Sequence, residues 1–317
     1  MVRSGDLNRY WIRSTDAMPS DVVIETGELT KTYGPVRAVA GLNLSVGAAQ
    51  VFGFLGPNGA GKTTTIRLLL ALQRPSSGSS RVFGLDSMSD SLEIHRRVGY
   101  LPGDLALYPR LTGAQHIEWF AGARGGANRA DVGALVERFG VVTDRPVRDL
   151  SSGNRQKIGL VLAFMHRPEL LILDEPTSGL DPLLQYEFER LARETVAEGR
   201  TVFLSSHDLD EVQRLADRVA IIKSGSLVAT DTVDGLRRAA PRRVEVVLPG
   251  PAARTGFDSL VGVKVVACHD HRLALEVSGP IAPVLRAVAD QDPVDVVIRH
   301  ADLDELFLDF YRGPSTP

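Results

Sequence analysis

The 317-residue chain has one cysteine, Cys268, so no disulfide can form within it. A cross-linked secreted scaffold is excluded, and a reducing compartment fits. Cys268 reads as a small residue in a strand. Long apolar runs are missing as well. The best stretches, Leu68–Leu72 and Gly159–Met165, fall far short of the roughly 20 residues that a membrane-spanning helix needs. Met1–Ser20 is polar and mixed in charge, with no apolar signal core. There is no basic excess either: 36 Lys and Arg stand against 39 Asp and Glu. A nucleic-acid-binding face therefore gets no support from charge.

What remains is a chain with 44% hydrophobic and 24% charged residues, ordinary for a globular protein. Its length suits one large domain plus a smaller one. Fold-forming pattern begins at Val22, so residues 1–20 are expected to be a disordered extension. Val22–Glu25, Gly41–Val46 and Val51–Leu55 read as strands, and Thr63–Leu72 as a helix. Ala114–Ala123 and Asp131–Phe139 read as helices split by the Gly-rich segment Gly122–Asn128. Ser152–Met165, Leu183–Glu198 and Asp208–Ala216 are further helices. Leu170–Leu173 is a buried strand, and Thr201–Ser205 is a strand. Arg218–Lys223 and Ser226–Thr230 suggest a hairpin around Ser224-Gly225. Strands alternating with helices predict an α/β sheet covered on both faces.

The pattern changes near Arg237–Arg243. Arg243–Leu248, Lys264–His269, Arg272–Val277 and Val294–Arg299 read as strands, with helices at Ile281–Ala289 and Leu303–Tyr311. The expected organisation is a main domain over 21–238, containing a helical subdomain over about 104–165, and a small α+β domain over 242–313.

Gly56-Pro57-Asn58-Gly59-Ala60-Gly61-Lys62-Thr63-Thr64 fits the pattern G-x-x-x-x-G-K-[ST], with an apolar strand before it and a helix after it. Glycines let the backbone curl so that successive N–H groups face one anion. The helix adds its N-terminal amides and the positive end of its dipole. Lys62 can place a charge on the β- and γ-phosphates, and Thr63 can give its hydroxyl to Mg²⁺. The competing reading is a chance glycine-rich turn before a surface lysine. The strand and helix on either side favour the phosphate loop.

Leu170-Leu171-Ile172-Leu173-Asp174-Glu175 places two acids at the end of a buried strand, where ligands bind in such sheets. Asp174 is suited to the Mg²⁺ shell and Glu175 to orienting or activating a water. Consecutive strand residues point opposite ways, so the chain must bend for both to serve one site. Pro176 is expected to hold Glu175 extended. Taken alone, such a pair also suits an exposed acidic turn. His207, between a strand and a helix, reads equally well as a γ-phosphate sensor or as a capping-loop histidine.

Leu150-Ser151-Ser152-Gly153-Asn154-Arg155-Gln156-Lys157 resembles the signature motif of the ABC ATPases. Without the resemblance it is only a turn before a helix, although Ser151 is a good N-cap. Asp174-Glu175-Pro176-Thr177-Ser178-Gly179-Leu180-Asp181-Pro182 resembles the family's second acidic motif run into its dimer-contacting loop. His207 falls on the family's switch histidine. Tyr33, in Lys31-Thr32-Tyr33-Gly34, falls on the aromatic that stacks on adenine. Together these motifs cover about Val22 to Gly225.

The resemblance implies a P-loop ABC-type nucleotide-binding domain that binds ATP and Mg²⁺ and hydrolyses ATP. Glu175 and His207 would be catalytic, and Thr63 and Asp174 would hold the metal. Two copies would sandwich ATP between the phosphate loop of one and Ser151, Ser152, Gly153 and Asn154 of the other. Ser178, Gly179, Leu180 and Asp181 would form the dimer loop. The other partner would be an integral membrane permease, which places the chain peripherally on the cytoplasmic face of the membrane. No nucleic acid is implied.

Three features depart from the family pattern. Ser152, Gly153 and Asn154 stand where Gly-Gly-Gln is usual. Gly103, in Val98–Asp104, stands where a glutamine normally reaches Mg²⁺ and the water. Asp104 is the candidate substitute, although its charge would repel Glu175 unless the metal lies between. Leu303–Tyr311 resembles the tail of drug- and antibiotic-exporting ABC ATPases, while its Leu303, Leu306, Phe307 and Phe310 also fit a core-facing helical stripe. That tail and Asn154-Arg155-Gln156-Lys157 favour export of a hydrophobic or amphiphilic substrate such as a drug or antibiotic. One rival is a non-transport ABC ATPase acting on nucleic acid or ribosomes, which would carry a coiled-coil insertion or a second cassette. Another is a regulatory subunit without hydrolysis, against which Asp174, Glu175 and His207 argue.

Overall fold

The structure is a computed structural model that describes residues 22–239, 241–251, 256–257 and 260–300. The expected extension 1–20 and the expected helix Leu303–Tyr311 lie outside the described residues. The chain divides into two compact units, the first ending at Asp231 and the second beginning at Thr232. The division thus falls a little before the expected one at 238.

In the first unit, β3 (Val51–Leu55), β7 (Leu170–Asp174) and β8 (Thr201–Ser206) are buried along their whole length. Burial on both faces is what a parallel sheet covered on both sides requires. With β6 (Val98–Leu101), β9 (Arg218–Lys223) and β10 (Ser226–Thr232) they form a sheet in the order β10-β9-β3-β8-β7-β6. β6, β7, β8, β3 and β9 run parallel, with Leu55 opposite Ser206 and Asp174 opposite Ser205. That register brings the phosphate loop, the two acids and His207 to one edge. Beneath them the Phe52 and Phe203 rings stack at 5.9 Å, and Phe54 packs on Phe203 at 5.5 Å.

A second, antiparallel sheet has the order β2-β1-β4-β5, from β1 (Val22–Tyr33), β2 (Val36–Gly47), β4 (Ser77–Val82) and β5 (Leu85–Asp86). β1 and β2 run well beyond the short strands expected. β4 was not expected at all, because SGSSRV carries little apolar signal. The hairpin turn Ser224-Gly225 ties this sheet to the phosphate loop: Ala40 N–H donates to Gly225 O at 2.8 Å, and Gly225 N–H to Ala60 O at 2.9 Å.

Helices α1 (Lys62–Leu69) and α2 (Ser91–Arg97) precede a helical arm of α3 (Gly113–Ala123), α4 (Arg129–Arg138) and α5 (Ser152–Phe164). α3 starts with a capping box: Gln115 N–H donates to Thr112 Oγ1 at 3.2 Å, and Thr112 N–H to Gln115 Oε1 at 2.8 Å. α6 (Pro182–Ala197) starts on Asp181 as N-cap with Pro182 in its first turn. It buries Phe188, Leu191, Ala192 and Thr195 at i, i+3, i+4, i+7 spacing. Arg138 at the end of α4 binds Glu194 of α6 at 2.5 Å and Glu187 at 3.1 Å, fastening arm to core. α7 (Leu209–Leu215) follows β8.

The second unit holds α8 (Val233–Ala239), β11 (Arg242–Val247), β12 (Val263–His269), β13 (Arg272–Val277), α9 (Ala282–Ala289) and β14 (Asp295–His300). Its strands form an antiparallel sheet in the order β12-β13-β11-β14. Val244 and Val246 face a core with Leu273, Leu275, Val284 and Val288, while Arg243 and Glu245 alternate to the other side. Cys268 sits half-buried in β12.

His166, just past α5, accepts from Arg124 Nη1 at 2.9 Å through Nε2. Burial, then the Arg124 charge, push its pKa down to about 4. The ring is neutral in the fold, while the unfolded chain takes up a proton below about 6.5. Stability should be flat above that pH and fall between about 6.5 and 4, by on the order of 1 kcal/mol after solvent screening. Urea midpoints across pH should show this slope, and His166→Gln should flatten it.

Candidate functional site

The phosphate loop leaves β3 at Gly56, whose N–H donates to Ser206 O at 3.1 Å at the end of β8. Gly61 ends the loop at φ +108°, and a Cβ there would lie 2.4 Å from Ala38 O. No other residue type fits both constraints. α1 starts on the next residue with no side-chain cap and no acid in its first turn. Its first amides and dipole are thereby left to an anion. Lys62 is buried, 6% exposed, and folds back so that Nζ donates to Gly56 O at 2.6 Å.

Lys62 Nζ also lies 3.1 Å from Glu175 Oε1. The contact is an ion pair without hydrogen-bond geometry, so Oε1 is buried with no hydrogen-bond donor. Thr63 Oγ1 donates to Asp174 Oδ2 at 2.7 Å, and Ser205 Oγ donates to Asp174 Oδ1. Asp174 is 1% exposed. Glu175 Oε2 accepts from His207 Nδ1 at 2.7 Å. The phosphate loop, both acids and the histidine therefore converge, as the motifs predict. Tyr100 in β6 has its hydroxyl pKa pushed up, first by burial and then by the Asp174 charge.

The expectation that Pro176 holds Glu175 extended is corrected. Glu175 has φ +52°, in the left-handed region. Its N–H donates to Ser205 O and Oγ, both at 3.2 Å, and Gln156 Nε2 donates to Pro176 O at 3.0 Å. These tertiary bonds override the local preference, at a cost of about 1–2 kcal/mol. The required bend between the two acids is this residue.

Ser151 caps α5, its Oγ accepting from Asn154 N–H at 3.2 Å. Ser151 and Ser152 are exposed. The Asn154 side chain turns inward, where it receives Val142 N–H and donates to Val142 O, each at 2.9 Å. Its amide thus braces the arm. Gly153 packs on the dimer loop, since a Cβ there would lie 2.9 Å from Gly179 O. Gly179, Leu180, Asp181 and Ser151–Asn154 share a cleft of about 560 Å³, which Arg145 and Lys157 also line. Ser178 is exposed beside it.

Tyr33 is 45% exposed at the end of β1. Its hydroxyl bonds Gln73 Oε1, and Lys31 Nζ lies 5.1 Å from its ring centre. Gly103 lies against Asp174, where a Cβ would come within 3.0 Å of Oδ2. Asp104 is exposed. Among the described residues no three His, Cys, Asp or Glu side chains could hold a metal between them, so Asp104 does not complete such a set. Thr63 and Asp174 fit Mg²⁺ of the kind whose remaining ligands are phosphate oxygens and waters. Ser205, Gln156 and Gln73 support the site but were not singled out from sequence. Each is a polar residue whose burial or contact arises only in the fold.

A curled glycine loop and a Lys-Thr helix start, facing an Asp-Glu pair at the end of a parallel strand of the same sheet, define a P-loop nucleoside triphosphatase. A family profile described as ABC transporter matches residues 39–178. The probable multidrug ABC transporter ATP-binding protein YbhF of Escherichia coli is 34% identical over 255 residues, which is 79% of this chain and 43% of YbhF. The chain thus spans less than half of that relative. The daunorubicin resistance ATP-binding protein DrrA3 of Streptomyces coeruleorubidus is 36% identical over 309 residues, 91% of this chain and 96% of DrrA3. A solved structure described as an ATP binding subunit of an ABC transporter superposes with a TM-score of 0.61 at 30% identity, covering 68% of this chain and 92% of that one. The chain belongs to the ATP-binding proteins of the ABC transporter family, which are ATPases. The expected fold class and the family resemblance both hold.

Asp174→Asn replaces an acceptor of two hydroxyl bonds with a group that can accept through only one atom. It should raise the Mg²⁺ concentration giving half-maximal ATPase by about tenfold or more while the fold persists. A Mg²⁺ titration beside a circular-dichroism melt checks both.

Proposed function

We propose that the chain binds ATP between its own phosphate loop and the signature face of a second copy, hydrolyses it, and drives export through a separate membrane subunit. The observation that carries the reading is the convergence of Lys62, Thr63, Asp174, Glu175 and His207 over 2.7–3.1 Å contacts. Lys62 and the α1 amides balance phosphate charge. Thr63 and Asp174 would hold Mg²⁺, which neutralises charge on the β- and γ-phosphates. Tyr33 offers an exposed ring for adenine. Glu175 accepts the proton of the attacking water, and its fixed bend aims the carboxylate. His207 meets that carboxylate through Nδ1, which leaves Nε2 for a contact with the γ-phosphate.

The signature face is suited to act across the dimer. Ser151, Ser152 and Gly153 stand at a helix N-terminus and are open or half-open to solvent. A γ-phosphate gripped by both copies would close the dimer, and hydrolysis would release it. No described helix is long and apolar enough to cross a membrane. In this reading a separate permease subunit spans the membrane, and this chain sits on its cytoplasmic face. A docking surface is offered by Tyr108 and Trp119, 60% and 56% exposed, which line a cleft with Pro109, Arg110 and Leu111. Its lining begins at Tyr108, a few residues after Gly103, which itself lies against Asp174. DrrA3 is named for daunorubicin resistance. With the exporter-like tail, that name supports a hydrophobic or amphiphilic drug or antibiotic as cargo. No observation favours nucleic acid or ribosomes.

Glu175→Gln should cut steady ATPase by about a hundredfold or more and leave ATP binding intact, so that ATP-dependent dimers accumulate in size-exclusion chromatography. A near-normal rate would remove Glu175 from the water-activating role. Trp119→Ala should reduce co-sedimentation with vesicles carrying the membrane subunit by about tenfold.

A further inference from the structure

Behind the acid pair lies a carboxylate that the mechanism leaves unused. Glu211 sits on α7 and is 3% exposed. Oε1 accepts from Thr177 Oγ1 at 2.7 Å, and Oε2 accepts from Ser206 Oγ. Thr177 follows Glu175 by two residues, and Ser206 immediately precedes His207. Glu211 N–H also bonds Asp208 Oδ1, the N-cap of its own helix, at 3.2 Å. Asp208 N–H in turn donates to Ser206 Oγ at 3.0 Å. One rigid helix therefore grips both loops that carry the catalytic pair.

Packing alone does not call for an acid here. Burying a carboxylate is costly, and a leucine would fill similar space without that cost. What a carboxylate adds is two acceptors fixed at one separation, one for each loop. Burial pushes the Glu211 pKa up, the Ser206 and Thr177 bonds oppose this, and the nearby Glu175 and Asp208 charges raise it further.

We propose that Glu211 is a positioning residue that clamps the Thr177 loop to the Ser206 loop and so fixes the Glu175–His207 contact. The proposal rests on the reading of Glu175 as the residue that activates water. Leu180 N–H bonds Thr177 O at 3.0 Å, so the clamp also sets the start of the dimer loop.

The test uses the full chain with Glu211→Ala, Glu211→Gln, Glu211→Leu and Thr177→Val, and Glu175→Gln beside them. Each is assayed for kcat, KM for MgATP, affinity for a fluorescent ATP analogue and urea midpoint. Glu211→Ala and Glu211→Leu should lower kcat by about tenfold or more, because sub-ångström misplacement is costly, while ATP affinity stays within about threefold. Glu211→Gln, which keeps one acceptor, should recover much of the loss. Thr177→Val should add little on top of Glu211→Leu, as expected for two residues acting through one bond. If Glu211→Ala fails to fold, Glu211→Leu, which fills the space, carries the test. A folded Glu211→Leu with normal kcat, while Glu175→Gln is inactive, would overturn the clamp alone. A normal rate in Glu175→Gln would overturn the reading beneath it.

Discussion

The site depends on two contacts that join the head of one helix to the end of one strand. Lys62 Nζ stands 3.1 Å from Glu175 Oε1, and Thr63 Oγ1 donates to Asp174 Oδ2 at 2.7 Å. Adjacent residues of α1 thereby meet the last residue of β7 and the one that follows it, one pair by charge and the other by hydrogen bond. Asp174 and Lys62 are both nearly inaccessible to solvent, so their electrostatics act in a low dielectric. Parallel pairing of β7, β8 and β3 holds the two ends within reach. A one-residue slip in any of these strands would turn the acids away from the loop.

Around that core the polar side chains brace rather than react. Ser205 meets Asp174 and Glu175, Gln156 meets the Pro176 carbonyl, and Asn154 meets the backbone of Val142. Through Gln156 the signature helix α5 is bonded to the loop that follows the acids. The Ser151–Asn154 segment and the Glu175–His207 pair are thus parts of one hydrogen-bonded assembly. A change on the signature face has a short path to Glu175, because Gly153 touches Gly179 in the same loop.

The parts legible in the sequence are those whose signal is local. The strands β3, β7 and β8, the glycine pattern before Lys62, and the cap Ser151 all read correctly. Where tertiary contacts decide, local reading fails. Pro176 argues for an extended Glu175, yet bonds from Ser205 and Gln156 impose φ +52°. β4 hides in a run of serines and is held by pairing with β1. Asn154 carries the family motif, but its side chain serves the arm. Glu211 and Gln156 look like ordinary surface polar residues of helices, and only the fold buries them.

The central claim is that these residues meet on the terminal phosphate of one nucleotide. The most direct measurement is the crystal structure of Glu175→Gln with ATP and Mg²⁺. The account predicts the γ-phosphate within hydrogen-bond reach of Lys62 in one copy and of the Ser151–Gly153 segment in the other, with Mg²⁺ beside Thr63 and Asp174. A nucleotide bound with its phosphates away from Lys62, or a metal out of reach of Asp174, would contradict it.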